Sequence, residues 1–352
     1  MSDRVEINGL SVDRGLYDLV DEITPGSGVE SGAFWQSRAA IVTELGPQNR
    51  EFLQQRDQLQ TDIDTWHKNN PAPFQFEQYK DYLQEIGYLV PESDPFQVTT
   101  ENVDDEIALI AGPQLVVPVD NARYALTAAN ARWYSLYDAL YGTDIILEVA
   151  GCKKTAKYNP VRGQQVIRYA RDFLDQAVPL ATGSHAYAVR YKVVSGKLVV
   201  VMGDGSETEP GWRECFAGYR GDPDQPSAVL LRHNNLHIEL LIGEGYFIGQ
   251  GDLANIYDIN IESAITTIMD CEDSVSAVDA EDKIRVYGNW FGLMKGHLTA
   301  NVARGKETME RSLNPDPEFI APDGSAMSLP GRSLMLVRNV GTHMYTDAVT
   351  FN

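Results

Sequence analysis

The N-terminal part of the chain carries apolar side chains at helical spacing. Steps of three and four residues between apolar positions predict amphipathic helices, and Gly46 with Pro47 and the segment 69–73 predict breaks between them. The predicted helices span 15–23, 33–45, 48–67 and 76–86. Together they predict a helical hairpin or clasp. His67 lies near a predicted helix end, where the helix dipole favours a cation, and its sequence neighbours offer no second ligand.

Three short apolar runs predict buried parallel strands, because a fully buried strand shows a continuous apolar run bounded by turn residues. The runs span 115–117, 264–269 and 334–337. The polar or turn-forming residues that follow the first and third runs are Pro118, Asn121, Arg123, Tyr124 and Arg338. Ligands of α/β folds bind beyond the carboxyl ends of strands. We therefore predict a ligand-binding site at the carboxyl ends of these strands.

A cluster of acids follows the second run. The sequence AITTIMDCEDS places Asp270, Glu272 and Asp273 at its end, with Ser274 next. A helical period of apolar residues then continues to a stop signal at Gly296. The predicted unit is strand, acidic turn and helix, with Ser274 either capping the helix or contacting a ligand.

The segment between residues 142 and 262 has a mixed pattern that predicts an α/β insertion with antiparallel strands. A helix is predicted over 160–178, and Ser195 with Gly196 predicts a hairpin between Ala188–Val194 and Lys197–Met202. The GDGS sequence at 203–206 favours a hairpin turn over a phosphate cradle, since neither a P-loop nor a dinucleotide fingerprint accompanies it. His233 and His237 are interpreted as structural.

Two flanking stretches have simpler patterns. Residues 125–140 favour one helix, and residues 298–330 are predicted to be irregular, with turns at 314–317 and 322–324.

Composition and net charge indicate an ordinary globular protein and limit its possible partners. The 352 residues are 43% hydrophobic and 22% charged, as in an ordinary globular protein of more than one domain or of one large domain with insertions. The formal net charge is −21, from 29 Lys and Arg against 50 Asp and Glu. Such acidity disfavours nucleic acid and anionic membrane surfaces as partners. An anionic ligand would need locally placed cations.

Cysteine usage and targeting patterns predict a cytoplasmic protein. Cys152, Cys215 and Cys271 have no CxxC spacing, so neither a disulfide framework nor a structural zinc site is indicated. The N-terminus shows no secretory signal pattern. No apolar segment approaches the roughly 20 residues that a membrane span needs.

Four blocks of the sequence resemble malate synthase of the G type. They are AITTIMDCEDS followed by AVDAEDK, AGPQLVVPVDNARYALTAANARW at 111–133, NNLHIELLI at 234–242 and LPGRSLMLVRNVG at 329–341. The resemblance runs through nearly the whole chain, and it covers about the first half of a typical member of that family.

This resemblance implies a fold and a reaction. The fold is α/β, an incomplete TIM (β/α)8 barrel with an N-terminal α-helical clasp and an inserted mixed α/β domain. The implied division is 1–88 clasp, 89–134 linker and first barrel strand and helix, 135–262 inserted domain, 263–295 second barrel unit, 296–332 continuation of the insertion, and 333–352 third, truncated barrel strand. The implied reaction condenses acetyl-CoA with glyoxylate and water to give malate and CoA.

The resemblance also implies roles for particular residues. Those at the acetyl-CoA site are Val116, Arg123, Tyr124, Ser274 and Arg311. Arg338 would bind glyoxylate and stabilise the enolate of acetyl-CoA, since a guanidinium is always charged and can span two oxygens. Glu272 would orient Arg338 or a metal-bound water, with Asp270 close by as a further catalytic residue. The structural alternatives are a salt bridge for Arg123, and for Arg338 an ion pair with Glu272 or Asp273.

The family uses Mg²⁺, but the resemblance implies that its metal ligands and its aspartate base lie beyond Asn352. The C-terminus has one residue more before His343 than the family pattern. We therefore expect a truncated or partial product that is inactive alone. One alternative is the non-catalytic half of a split enzyme, with a complementary C-terminal chain as partner. Another is an autonomous enzyme that binds a cation weakly through Asp270, Glu272 and Asp273 alone.

Overall fold

The computed structural model describes residues 3–304, 307–339 and 345–351. The α-helices in these residues are α1 (Arg14–Ile23), α2 (Ser31–Asn69), α3 (Phe76–Glu85), α4 (Asp105–Ala108), α5 (Ala122–Asn130), α6 (Leu136–Gly142), α7 (Pro160–Ala177) and α8 (Ala280–Lys295). The segment at His343, where the sequence departs from the family pattern, lies outside the described residues.

The strands of the described residues form several separate sheets. They are β1 (Arg4–Ile7), β2 (Leu10–Asp13), β3 (Gln114–Pro118), β4 (Trp133–Ser135), β5 (Ala188–Val194), β6 (Lys197–Met202), β7 (Glu207–Thr208), β8 (Phe216–Asp222), β9 (Gln225–His233), β10 (Leu236–Ile242), β11 (Ile256–Glu262), β12 (Thr266–Asp270), β13 (Ala300–Arg304), β14 (Glu307–Arg311), β15 (Glu318–Ile320), β16 (Ala326–Ser328), β17 (Leu334–Arg338) and β18 (Val349–Phe351). None of the described helices has the length and apolar character that a membrane crossing requires.

The chain divides into two units. The first comprises Met1–Asn102, Val278–Ile284 and Tyr345–Asn352, and the second comprises Val103–Ala277 and Arg285–Met344. The sixfold division implied by the family resemblance is finer than this and stays a prediction.

The first unit joins a small antiparallel sheet to a helical hairpin. The sheet has the order β1-β2-β18, and its inner side chains pack with the buried Trp35 of α2. Further along, Trp66 of α2 packs against Tyr79 and Tyr82 of α3, and the Tyr82 hydroxyl donates to the carbonyl of Asp62 at 3.0 Å. These contacts form the predicted helical hairpin, and His67 lies in the last turn of α2 as expected.

The predicted break at Gly46 and Pro47 is wrong. Helix α2 runs without interruption from Ser31 to Asn69 with Pro47 inside it. A proline within a helix removes one backbone hydrogen bond and crowds the preceding turn, at a cost of about 3 kcal/mol. Pro47 is exposed, so water can bind the carbonyl left without a donor. Nucleation is costly relative to propagation, which favours one long helix over two short ones.

In the second unit, the three predicted strands are confirmed as one parallel sheet, but only the central strand β12 is buried, since Val116 of β3 is 54% exposed and Val337 of β17 is 50% exposed. The order of the sheet is β17-β12-β3. Helices α5 and α8 cover one face with apolar side chains. The buried residues of this layer include Val117, Val119, Leu126, Met269, Val286 and Leu293. A parallel sheet of this kind is consistent with part of an α/β fold, but a barrel is not shown.

The single helix predicted over 125–140 is wrong. Helix α5 ends at Asn130, and β4 then pairs antiparallel with β11 before α6 begins. The Ser135 side chain caps α6 by accepting from the Asp138 N–H at 2.9 Å. The pairing of β4 with β11 and the Ser135 cap thus outweigh the helical pattern of apolar residues. Helix propensity alone does not reveal a strand partner that is distant in the sequence.

A buried ionic network lies beside β4. Arg132 donates from Nε to Glu262 at 3.0 Å and from Nη1 to Glu106 at 2.7 Å. His237 Nδ1 lies 2.8 Å from the other Glu262 carboxylate oxygen. Burial raises the pKa of Glu262, but the hydrogen bonds with His237 and the electrostatic attraction of His237 and Arg132 together outweigh this, so the pKa is lowered overall. The geometry supports the structural interpretation of His237, whose partner carboxylate is already shared with Arg132.

The predicted α/β insertion is confirmed in its main elements. Helix α7 lies within the predicted segment 160–178, and β5 pairs with β6 around Ser195 and Gly196, both with positive φ as a tight hairpin turn requires. The GDGS sequence turns the chain between β6 and β7. The larger sheet has the order β16-β15-β8-β9-β10-β11-β4.

The stretch 298–330 is more regular than predicted. Strands β13 and β14 form one hairpin, and β15 and β16 form another around the predicted turn at 322–324. Strand β14 reads ETMER, in which polar residues outnumber apolar ones. Such a strand gives almost no apolar signal, so its pairing could not be predicted from periodicity.

Candidate functional site

Two charged residues end neighbouring strands of the parallel sheet. Asp270 is the last residue of β12 and Arg338 the last of β17, and the sheet register pairs them directly. Directly paired residues on adjacent strands point to the same face. Strand pairing alone therefore brings these two side chains together.

Arg338 and Asp270 form a bidentate ion pair. Arg338 Nε donates to Asp270 Oδ1 at 2.9 Å, and Nη2 donates to Oδ2 at 2.6 Å. The Asp270 side chain is fully buried, whereas that of Arg338 is 41% exposed. A two-point contact fixes the plane of the guanidinium. One edge of Arg338 is thus anchored while Nη1 is not engaged by Asp270.

Asp270 is held as an anion. Its carboxylate also accepts the backbone N–H of Glu272 at 2.9 Å, the N–H of Ser274 at 2.9 Å and the Ser274 hydroxyl at 2.6 Å. The hydrogen bond from Arg338 holds the pKa of Asp270 well below its usual range, and those from Ser274 and Glu272 add to this against the opposing effect of burial. The same contact raises the pKa of Arg338. A carboxylate so engaged orients a cation and is a poor base.

The two other acids of the turn lie farther from Arg338. Glu272 Oε2 is 4.0 Å from Arg338 Nε, and Asp273 Oδ2 is 3.4 Å from Nη1. The family resemblance implied that Glu272 orients Arg338 or a metal-bound water, and the structural alternative was an ion pair of Arg338 with Glu272 or Asp273. Both acids lie at ion-pair distance, while the two hydrogen bonds to the guanidinium come from Asp270. The reason is that Asp270 still belongs to the strand, in register with Arg338, while Glu272 follows the strand in the turn.

Ser274 does not cap a helix. Helix α8 begins at Ala280, six residues later, and Asp279 accepts the N–H of Asp282 at 3.0 Å in the position of a cap. The Ser274 hydroxyl instead donates to Asp270. Its donor is therefore committed, and only its oxygen lone pairs stay available to a ligand.

Two arginines predicted from the family resemblance lie close to α5, one within the helix and one on strand β14 beside it. Arg123 and Tyr124 occupy its first turn, with the guanidinium carbon 5.1 Å from the Tyr124 ring centre. Arg311 at the end of β14 donates from Nη1 to the Thr127 hydroxyl at 2.7 Å, and that hydroxyl donates to the Arg123 carbonyl at 2.7 Å. Within the described residues, no carboxylate lies at ion-pair distance from Arg123. Its predicted salt bridge is therefore not seen there.

Val116 lies in β3, on the far side of β12 from the strand that carries Arg338, and it is 54% exposed. It is in register with Ile268 of β12, which is itself in register with Leu336 of β17. The structure thus brings Val116, Asp270 and Arg338 onto one sheet, and it groups Arg123, Tyr124 and Arg311 around α5.

The loop between β3 and α5 is tied to the acidic corner, formed by Asp270, Glu272, Asp273 and Arg338, by groups that sequence reasoning missed. The Val119 N–H donates to the Asp270 carbonyl at 3.1 Å. Asn289 of α8 donates through Nδ2 to the carbonyls of Val119 at 2.9 Å and of Asp120 at 3.1 Å. Asn289 lies three residues after Val286 and four before Leu293, both buried. A polar residue within an apolar stripe was the signal that could have found it.

The Mg²⁺ implied by the family resemblance does not fit this corner. Over the described ranges 3–304, 307–339 and 345–351, no group of three or more His, Cys, Asp or Glu side chains could hold a metal ion. Both Asp270 oxygens already accept from Arg338 and from backbone or hydroxyl donors. A cation site built from Asp270, Glu272 and Asp273 would have to displace the Arg338 guanidinium.

Sequence comparison places this chain among known proteins. Residues 16–75 match the family described as malate synthase, N-terminal domain, and residues 158–233 match the malate synthase G, alpha-beta insertion domain. The malate synthase G of Halalkalibacterium halodurans is 50% identical over 344 residues, which cover 97% of this chain and 47% of that protein. The chain is a relative of malate synthase G. The resemblance seen in the four sequence blocks is confirmed.

Two further malate synthase G proteins show the same relation. That of Corynebacterium glutamicum is 49% identical over 349 residues, covering 99% of this chain and 47% of its own length. That of Corynebacterium efficiens is 48% identical over 349 residues, covering 99% and 46%. The chain thus spans about half the length of the curated malate synthase G proteins it matches.

Proposed function

We propose that this chain supplies one part of a malate synthase active site, and that the whole protein condenses acetyl-CoA with glyoxylate and water to give malate and CoA. The observation that carries the proposal is the anchored Arg338, whose guanidinium is fixed by Asp270 at the carboxyl end of a parallel sheet while its side chain stays 41% exposed. The relation to malate synthase G supports the choice of reaction.

The reaction needs a fixed cation at two stages. A proton leaves the methyl group of acetyl-CoA, and negative charge develops on the thioester oxygen. The methylene carbon of this enolate forms a bond to the aldehyde carbon of glyoxylate, while the C=O π electrons move to the aldehyde oxygen, which is the second site of negative charge. That oxygen takes up a proton, and water then hydrolyses the thioester to release CoA and the new carboxylate of malate. A guanidinium held in place stabilises developing charge without reorganising. Arg338 has the required permanent charge, and its Nη1, which Asp270 does not engage, lies 3.4 Å from the exposed Asp273 carboxylate, so a ligand oxygen would compete with Asp273 there.

Asp270 takes the role of positioning Arg338 in this proposal. Its lowered pKa and its five hydrogen bonds leave it a weak base. Glu272 lies 4.0 Å from Arg338 and keeps a longer-range electrostatic role. We assign proton abstraction, and the ligands of Mg²⁺, to the half of the malate synthase G sequence that this chain does not cover.

The acetyl-CoA part of the proposal is supported by the cations along α5. CoA carries phosphate groups, and a chain of net charge −21 needs local cations to bind them. Arg123 at the first turn of α5 and Arg311 beside Thr127 are linked through the Thr127 hydroxyl. Val116 would offer an apolar contact, Tyr124 a ring surface, and Ser274 an acceptor for a donor on the ligand.

Titration of CoA into the 352-residue chain tests this proposal. We expect calorimetry to show binding that Arg311→Ala weakens by about tenfold, because a guanidinium–phosphate contact is worth more than about 1 kcal/mol. Arg213→Ala is the matched control, since Arg213 is a 70% exposed arginine of the insertion and its loss changes the net charge equally. Absence of CoA binding by the unsubstituted chain would refute the acetyl-CoA part.

A second candidate function is the non-catalytic half of a split enzyme. Within the described residues, β3 and β17 each pair on one side only, so both edges of the parallel sheet have free backbone groups. Edges of this kind accept strands from another chain. In this alternative the partner chain carries the metal ligands and the base.

A further inference from the structure

The loop between β3 and α5 connects the two groups of predicted site residues. It starts at the end of β3, beside Asp270, and leads into the first turn of α5 with Arg123 and Tyr124. Asn121 ends the loop and caps α5 by accepting the Tyr124 N–H at 3.2 Å. A displacement of this loop would therefore move the first turn of α5.

Side-chain and backbone donors hold the loop at consecutive peptide groups. The Val119 N–H donates to the Asp270 carbonyl, and the Asn289 amide binds the carbonyls of Val119 and Asp120 at 2.9 and 3.1 Å. The Asn289 side chain is half-buried on α8. It thus links the helix that follows the acidic turn to the loop that precedes α5.

The chemistry of the contact explains the residue type. A side-chain amide carries two N–H donors on one nitrogen and can bind two neighbouring carbonyls at once. An aspartate of the same shape has only acceptors in its ionised form and would repel both carbonyls. Alanine would leave the two carbonyls without these donors.

We propose that Asn289 is a positioning residue of the acetyl-CoA subsite. It fixes the backbone at Val119 and Asp120 so that Arg123 and Tyr124 keep their place relative to the Asp270–Arg338 pair. This inference rests on the proposed function, because the subsite is the one assigned there to CoA. Asn289 itself touches the loop backbone.

Three substitutions at this position separate donor loss from loss of packing. Asn289→Asp keeps the shape and removes the donors, Asn289→Ala removes both, and Asn289→Ser keeps one donor on a shorter side chain. Gln114→Ala is the matched control. Gln114 is also a side-chain amide, and it donates to the Thr266 hydroxyl at 2.9 Å at the opposite, amino end of the same pair of strands.

Two measurements on the 352-residue chain test the inference. Hydrogen exchange followed by mass spectrometry reports the opening of residues 119–124, and calorimetry with CoA reports the subsite. We expect Asn289→Asp and Asn289→Ala to speed exchange in this segment and to raise the Kd for CoA, each by about tenfold, as the loss of roughly one hydrogen bond to each carbonyl implies. Asn289→Ser is expected to lie between them and the unsubstituted chain, and Gln114→Ala to leave both readouts unchanged.

The outcomes distinguish this inference from the proposed function. Failure of the unsubstituted chain to bind CoA overturns the proposed function and the assignment of Asn289 to its subsite. If CoA binds and Asn289→Asp retains the original affinity, the positioning role alone is overturned. That role is also overturned if Asn289→Ser, the mildest change, alters CoA affinity no more than Gln114→Ala does while the other two variants fail to fold.

Discussion

Asp270 shows how strand register selects a functional side chain. Three acids lie within four residues of sequence and carry the same formal charge. Only Asp270 is placed by the sheet directly beside Arg338, and its short side chain meets the guanidinium with both oxygens. The sequence predicted that the acids of this turn lie beside Arg338 but named Glu272 or Asp273 as its ion-pair partner, because local spacing carries no information about the register between strands.

Asp270→Asn is expected to lower the free energy of unfolding at pH 7 by about 2 kcal/mol, since it weakens a charged hydrogen-bond set. This value is near the low end of the roughly 1.5–3 kcal/mol that a hydrogen bond to a charged group contributes, because Arg338 is partly exposed. The pKa of Asp270 is lowered in the folded chain from its ordinary 3.8. Its contribution is therefore complete above about pH 4 and is lost as the pH falls through the lowered folded-state pKa.

Urea unfolding at about pH 7, 4 and 3 measures this effect. The difference between the Asp270→Asn variant and the unsubstituted chain should be constant from about pH 7 to about 5 and narrow below about pH 4. Glu207→Gln serves as control, because Glu207 pairs with Lys192 at 2.7 Å but is 53% exposed, so its loss should cost less than about 1 kcal/mol. A difference that widens at low pH would contradict the assignment.

At the scale of single elements, local chemistry decided most of what could be predicted. The β5–β6 hairpin follows from Ser195 and Gly196 at positive φ, and the end of α8 follows from Gly296 with φ of 75°. Such turns depend on a few adjacent residues. Strand β4 was missed because its partner β11 lies far from it in the sequence.

Helix α2 gives a test at this scale. Pro47→Ala restores a backbone donor at an exposed position, so we expect it to stabilise the first unit by about 1–3 kcal/mol. Thermal unfolding followed by far-ultraviolet circular dichroism measures the change.

The control for this test lies on the same helix. Gln54 is exposed within α2 and keeps its backbone donor, so Gln54→Ala should alter stability by no more than about 0.5 kcal/mol. A Pro47→Ala variant that melts at or below the temperature of the original chain would show that Pro47 does not destabilise the helix.

At the scale of the whole molecule, the candidate site is a corner with one anchored cation. The chain spans about half the length of its malate synthase G relatives. In the described ranges the residues around Arg338 include no set of metal ligands. In our proposal this corner binds and orients a substrate oxygen, and the base and the metal ligands come from the half of those relatives that this chain does not cover.

We therefore expect the 352-residue chain alone to release no CoA thiol from acetyl-CoA in the presence of glyoxylate and Mg²⁺. A colorimetric thiol assay measures this release. Mixing with a chain that corresponds to the uncovered half of malate synthase G should restore release, and the Arg338→Lys variant should restore roughly a hundredfold less, since lysine cannot make the two-point contact with Asp270. Turnover by the unmixed chain would contradict the expectation.

The amino-acid sequence by itself determined the relation to malate synthase G, the three strands of the parallel sheet, the main hairpins and the acidic turn, because each depends on residues close together in the chain or on long matching blocks. Tertiary structure alone decided that Asp270 is the partner of Arg338, that Asn289 holds the loop before α5, and that Arg311 lies beside Thr127. These contacts join residues that are between 68 and 184 positions apart in the sequence. Only the packing of strands and helices brings such residues within hydrogen-bond distance.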